Sequence, residues 1–112
     1  MLKNRIHLLL LVIVLVLITA VPASANSPDA NFRVRIVDFA FRPRTVMGNV
    51  GDTVRWRNAG AASHTSTSTT GVLDSGTLAP GATFSRTFDA AGTFKYTCTF
   101  HPFMQAKVVV SP

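Results

Sequence analysis

The sequence predicts an all-β domain, an antiparallel sandwich or barrel with little or no helix, from three observations. Short segments alternate apolar and polar residues with period two. Clusters of Gly, Pro and Asp separate them at close intervals. No stretch after Ala25 repeats its apolar residues at helical spacing.

The alternation begins at Phe32. Phe32, Val34 and Ile36 share one face and Arg33 and Arg35 the other, as in a half-buried strand. Asp38-Phe39-Ala40-Phe41 continues the apolar signal to Pro43, which lacks a backbone donor and belongs at an edge or bend. Val46 to Val50 is a second short strand. Gly51-Asp52 turns the chain into Thr53–Asn58, with Val54 and Trp56 inward and Arg55 and Arg57 outward. Ala59 to Gly71 is small, polar and rich in Ser and Thr, so it reads as a surface loop; His64 stands in it. Leu73 to Leu78 is a weak strand or turn, and Ala79-Pro80-Gly81 is a turn. Thr83 to Phe88 alternates again, with Phe84 and Phe88 inward. Asp89 to Gly92 turns into Thr93–Cys98, which places Phe94, Tyr96 and Cys98 on one face. Gln105 to Val110 is a Val-rich final strand.

The 112 residues leave room for one domain. Lys3 and Arg5 precede an apolar run from Leu8 to Ile18 that continues to Val21, and Ala23-Ser24-Ala25 follows. This is the layout of a secretory signal peptide, and the run is shorter than the ~20 residues a spanning helix needs. Residues 1–25 are therefore expected to be removed, leaving 26–112 as a single domain without a membrane span, in the periplasm or outside the cell. That segment carries nine basic residues against five Asp, a net charge of +4 with neutral histidines. Such a balance favours an acidic partner surface or an anionic membrane. Its arginines fall at alternate strand positions, which makes solvated outer faces and not a nucleic-acid interface.

The cysteine count carries the chemistry. Cys98 is the only cysteine, so an exported chain cannot close an internal disulfide with it. Two residues separate Cys98 from His101, and two more separate His101 from Met104. A soft thiolate, an imidazole and a thioether thus lie in one short loop between two strands, stiffened by Pro102. Another imidazole from upstream, such as His64, completes the donor set of a mononuclear copper site for electron transfer. Zinc fits less well, because it has little use for a thioether. His7, Met1 and Met47 have no such partners. With no Glu, no second metal cluster and no nucleophile–base pair at suggestive spacing, the chain does not read as an enzyme.

At these residues the chain resembles the cupredoxins, in their plastocyanin-like branch. Phe39-Ala-Phe-Arg-Pro43, Gly51-Asp-Thr-Val-Arg-Trp-Arg-Asn58, His64-Thr65, Asp74-Ser-Gly-Thr-Leu-Ala-Pro-Gly81 and Gly92-Thr-Phe-Lys-Tyr-Thr-Cys98 carry the likeness. The segment Cys98-Thr-Phe-His101-Pro-Phe-Met104 is similar to the short ligand loop of amicyanin. The resemblance implies a Greek-key β-sandwich with one type 1 copper near an end. It implies His64, Cys98 and His101 as strong ligands, Met104 as the weak axial one, and the His101 edge as the electron port. It also implies a monomeric, exported one-electron carrier serving redox protein partners. Two departures stand out: Thr65 occupies a position where many members use Asn to tie the two ligand loops together, and Ser63 stands where Pro is common. A copper-delivering chaperone would use the same ligands, and a metal-free structural sandwich would need none of them.

Overall fold

In β1 (Phe32–Val37), Val34 and Ile36 are buried while Arg33 and Arg35 are exposed, as period-two alternation requires. The computed structural model describes residues 29–112; the expected signal peptide and its junction lie outside the described residues. β2 (Ala40–Arg42) and β3 (Thr45–Asn49) flank the bend at Pro43, and β4 (Thr53–Asn58) follows the turn at Gly51, whose φ of 94° suits glycine. β5 (Thr83–Thr87), β6 (Gly92–Thr97) and β7 (Gln105–Ser111) complete the set. Among the described residues there is no α-helix.

The strands form two sheets, one ordered β2-β1-β4-β5 and the other β3-β7-β6. Their pairing corrects one expectation: the strands are not all antiparallel. β1 and β4 run parallel, with Val34 opposite Trp56, and so do β3 and β7, with Val46 opposite Val108. Each parallel pair is joined by a path through the opposite sheet, which returns the chain in its original direction. The remaining pairs are antiparallel.

The inner faces meet in one core. Val34, Ile36, Val54 and Trp56 from the first sheet pack with Val46, Tyr96, Val108 and Val110 from the second. Phe88 is buried as expected, whereas Phe84 and Phe94 are only partly buried, against its margin. Trp56 and Tyr96 meet edge-on with ring centroids 5.6 Å apart, and Phe41 meets Tyr96 likewise at 4.7 Å. The Trp56 indole N–H and the Tyr96 hydroxyl are buried without hydrogen-bond partners. Burial pushes the Tyr96 phenol pKa upward, and the neighbouring indole opposes this in part without reaching hydrogen-bonding geometry.

Because this hydroxyl satisfies nothing, Tyr96→Phe should leave stability within about 1 kcal/mol of the parent in urea unfolding at neutral pH. A loss several-fold larger would show that the hydroxyl has a partner after all.

Candidate metal centre

Cys98 follows β6 directly, and three backbone hydrogen bonds shape the loop beyond it. The His101 N–H donates to the Cys98 carbonyl at 3.2 Å, the Met104 N–H to the His101 carbonyl at 2.8 Å, and the Cys98 N–H to the Met104 carbonyl at 3.2 Å. These nested turns face Cys98 and His101 toward a common point. Met104, just before β7, is buried, and it borders a small surface pocket with Phe39, Phe41 and Phe103.

His64 arrives from the segment read above as a surface loop, and here the structure differs. His64, Thr65, Ser66 and Ser68 are all buried. The segment folds inward because most of its polar groups are satisfied internally, the buried Ser66 hydroxyl being the exception. Backbone bonds link His64 to Leu78, while Thr67 pairs with Thr97 through two bonds of 2.9 Å. The Ser66 N–H donates to Ser75 Oγ at 2.8 Å, and Ser68 Oγ accepts from the Leu73 N–H at 3.0 Å. Ser and Thr hydroxyls, taken from the sequence as a sign of solvent, here replace it.

Three donors converge as a result. Both ring Nδ1 atoms face the Cys98 sulfur, His64 at 3.7 Å and His101 at 3.5 Å. One donor atom from each of the three residues lies within 4.8 Å of the others. Cys98 and His64 are fully buried, while His101 is half-buried. Exposed Phe39, Phe100 and Phe103 lie at this end, and the Phe39 ring packs edge-on against His101 at 4.8 Å.

Thr65 ties the two loops together with its hydroxyl. Its Oγ1 accepts from the Thr99 N–H at 2.9 Å and from the Thr67 hydroxyl at 3.0 Å, and its own N–H points to the Cys98 sulfur at 3.4 Å. The tether is therefore made by a shorter side chain than the Asn that many cupredoxins carry at this position.

Two contributors escaped the sequence reading. Phe39 reads in the sequence as part of the apolar signal and of the family likeness, yet its ring packs against both imidazoles. Asp38 lies 2.6 Å from His64 Nε2 and also accepts from the Ala61 N–H at 2.8 Å. Those bonds, His64 first, hold its carboxyl below the usual carboxylate range. The only available signal was a carboxylate breaking the apolar pattern after Val37, which does not name a partner 26 residues away.

A two-sheet β-sandwich that gathers two imidazoles, a thiol and a buried methionine loop at one end defines a small single-metal-site protein. Comparisons with known proteins agree. The family model of the cupredoxin-like domain matches residues 8–110. Amicyanin of Paracoccus denitrificans is 38% identical over 93 residues, covering 79% of this chain and 71% of its own. Amicyanin-alpha of Methylorubrum extorquens is 33% identical over 96 residues, covering 81% of each. A solved structure of an amicyanin mutant in its reduced state matches with a TM-score of 0.68 and 36% identity, over 79% of this chain and 89% of that one. The chain belongs to the cupredoxin-like family, in its amicyanin branch.

Thr65→Val keeps the shape but removes the acceptor for the Thr99 amide. It should cost about 1–3 kcal/mol in denaturant unfolding of the metal-free protein. An unchanged midpoint would show that the tether contributes nothing.

Proposed function

We propose that the protein is an exported one-electron carrier holding a single type 1 copper ion through His64, Cys98, His101 and Met104. The observation that carries the reading is the convergence of two Nδ1 atoms on one buried sulfur, with a methionine closing the same loop. The donor chemistry fits copper: one thiolate, two imidazoles and one thioether suit an ion that must be accepted in both its oxidation states. Copper, when bound, supplies the reversible Cu(II)/Cu(I) couple.

The chain's own residues do the rest. The nested turns from Cys98 to Met104 and the Thr65 tether fix the donors before the metal arrives, which keeps rearrangement during electron transfer small. The Thr65 N–H, aimed at the sulfur, stabilises negative charge on it. Burial of His64 and Cys98 excludes water, and the half-exposed His101 ring leaves one edge open to a partner. Phe39, Phe100 and Phe103 form the apolar surface there. An acidic redox partner suits the net charge, and an exposed groove lined by Arg44, Lys95 and Lys107 supplies basic residues on the β6–β7 side. No catalytic group is assigned, and the working unit is a monomer.

Export follows from the leader pattern of residues 1–25 and from the lone thiol, which the metal would protect in an oxidising compartment. Expression of the full chain followed by cell fractionation should yield a periplasmic or secreted protein whose mass corresponds to residues 26–112. A full-length mass in the membrane fraction would count against this.

The copper-loaded protein should be blue, with an intense thiolate-to-copper band in the visible and a reversible one-electron couple. Cys98→Ser should abolish the band. A colourless copper complex of the parent protein would refute the reading. Slow electron self-exchange with ready release of copper to an acceptor would instead point to a copper-delivering chaperone.

A further inference from the structure

Among the described residues, one charged side chain touches the candidate metal centre from outside the donor set. Asp38 follows β1, and its Oδ1 lies 2.6 Å from His64 Nε2, on the side of the ring opposite the sulfur. We propose that Asp38 is the positioning residue of the centre: its carboxylate holds His64 with Nδ1 free for copper and biases the bound ion toward its oxidised state. This proposal rests on the copper reading above.

The carboxylate sits in a built cradle. Its Oδ2 accepts from the Ala61 N–H at 2.8 Å, and the Ala62 N–H is shared between Oδ1 at 3.3 Å and Oδ2 at 3.4 Å. Asn58, buried at the end of β4, anchors that cradle. Its Oδ1 accepts from the Gly60 N–H at 2.9 Å, and its Nδ2 donates to the carbonyls of Ala62 and Leu78, both at 2.8 Å. Gly60 is required by the fit. A Cβ there would overlap Asp38 Oδ1 and approach Cγ to 2.9 Å.

Two consequences follow from elementary chemistry. A neutral imidazole carries its proton on one nitrogen, and an ionised carboxylate can only accept. Asp38 therefore keeps the proton on Nε2 and leaves the Nδ1 lone pair directed at the thiol. The second consequence is electrostatic. Cu(II) with a thiolate carries one net positive charge and Cu(I) with a thiolate carries none, so a fixed negative charge on the ligand ring favours the oxidised form. His64 is fully buried and Asp38 retains 26% of its side-chain exposure. Solvent screens part of this charge, which places the effect at the low end of what supporting shells contribute to metal binding, about tenfold.

The test compares Asp38→Asn with the parent protein. Asn has one acceptor oxygen and cannot serve both the ring and the Ala61 amide, which bond different oxygens of Asp38. The variant should remain blue and lose about tenfold in Cu(II) affinity with little change for Cu(I). That ratio is equivalent to a rise of about 59 mV in reduction potential. Gly60→Ala, which displaces the carboxylate without changing its charge, should shift the potential in the same direction, and it stands in if Asp38→Asn does not fold. A metal-free readout is independent of colour: nitrogen NMR of the parent near pH 8 should find His64 protonated on Nε2 alone. Unshifted potentials in both blue variants, or an Nδ1–H tautomer in the parent, would overturn the proposal while leaving the electron-carrier reading intact. A colourless parent protein overturns that reading itself.

Discussion

Two backbone hydrogen bonds between Thr67 and Thr97, each 2.9 Å, hold the centre together. They clip the His64 segment to the end of β6, one residue before Cys98. The clip brings together His64 and Cys98, which lie 34 residues apart in the chain, and the Thr65 tether then acts across the same gap. The clip also sets the reach of everything finer. It places the Thr65 hydroxyl beside the Thr99 amide and directs the Thr65 N–H to the sulfur. A hydroxyl suffices as a tether because the backbone pairing has already brought the two loops within its length.

The site is asymmetric. His64 is sealed on every side, by the core, by Phe39 and by the Asp38 cradle, while His101 is packed on one side and open on the other. A buried donor held by a network cannot adjust cheaply, because any shift leaves polar groups unpaired. The edge donor is held differently, by a backbone turn of three hydrogen bonds, with its ring partly open to solvent. Rigidity is thus concentrated on the inner imidazole and accessibility on the outer one.

Much of this was legible in the residues. Alternation located the core faces of β1 and β4, and the Cys98–His101–Met104 spacing located the loop, because both are local patterns. Strand direction was not legible: the parallel pairings of β1 with β4 and β3 with β7 depend on which sheet each connection crosses, and alternation is the same in either direction. The segment from Ala59 to Gly71 misled for a related reason. Its polarity matches solvent equally well as it matches Ser75, Leu73 and Thr99, and only the fold supplies those partners. Asp38 was invisible on the same ground, since a carboxylate after a strand names no ring to hold.

The place of β7 in its sheet has a bearing on how the protein is made. β3 and β6 do not pair with each other; each pairs with β7, which lies between them and is the last strand in chain order among the described residues. That sheet has no partial version to form while the polypeptide emerges, and its first half must wait for residues some sixty positions later. Such distant pairings are slow to nucleate, on the scale of milliseconds to seconds for β-sandwiches. A nascent chain of this kind keeps the sheet open until β7 is delivered, so the Cys98–Met104 loop, which leads into β7 and is closed by the Cys98 N–H to Met104 carbonyl bond, takes its shape late.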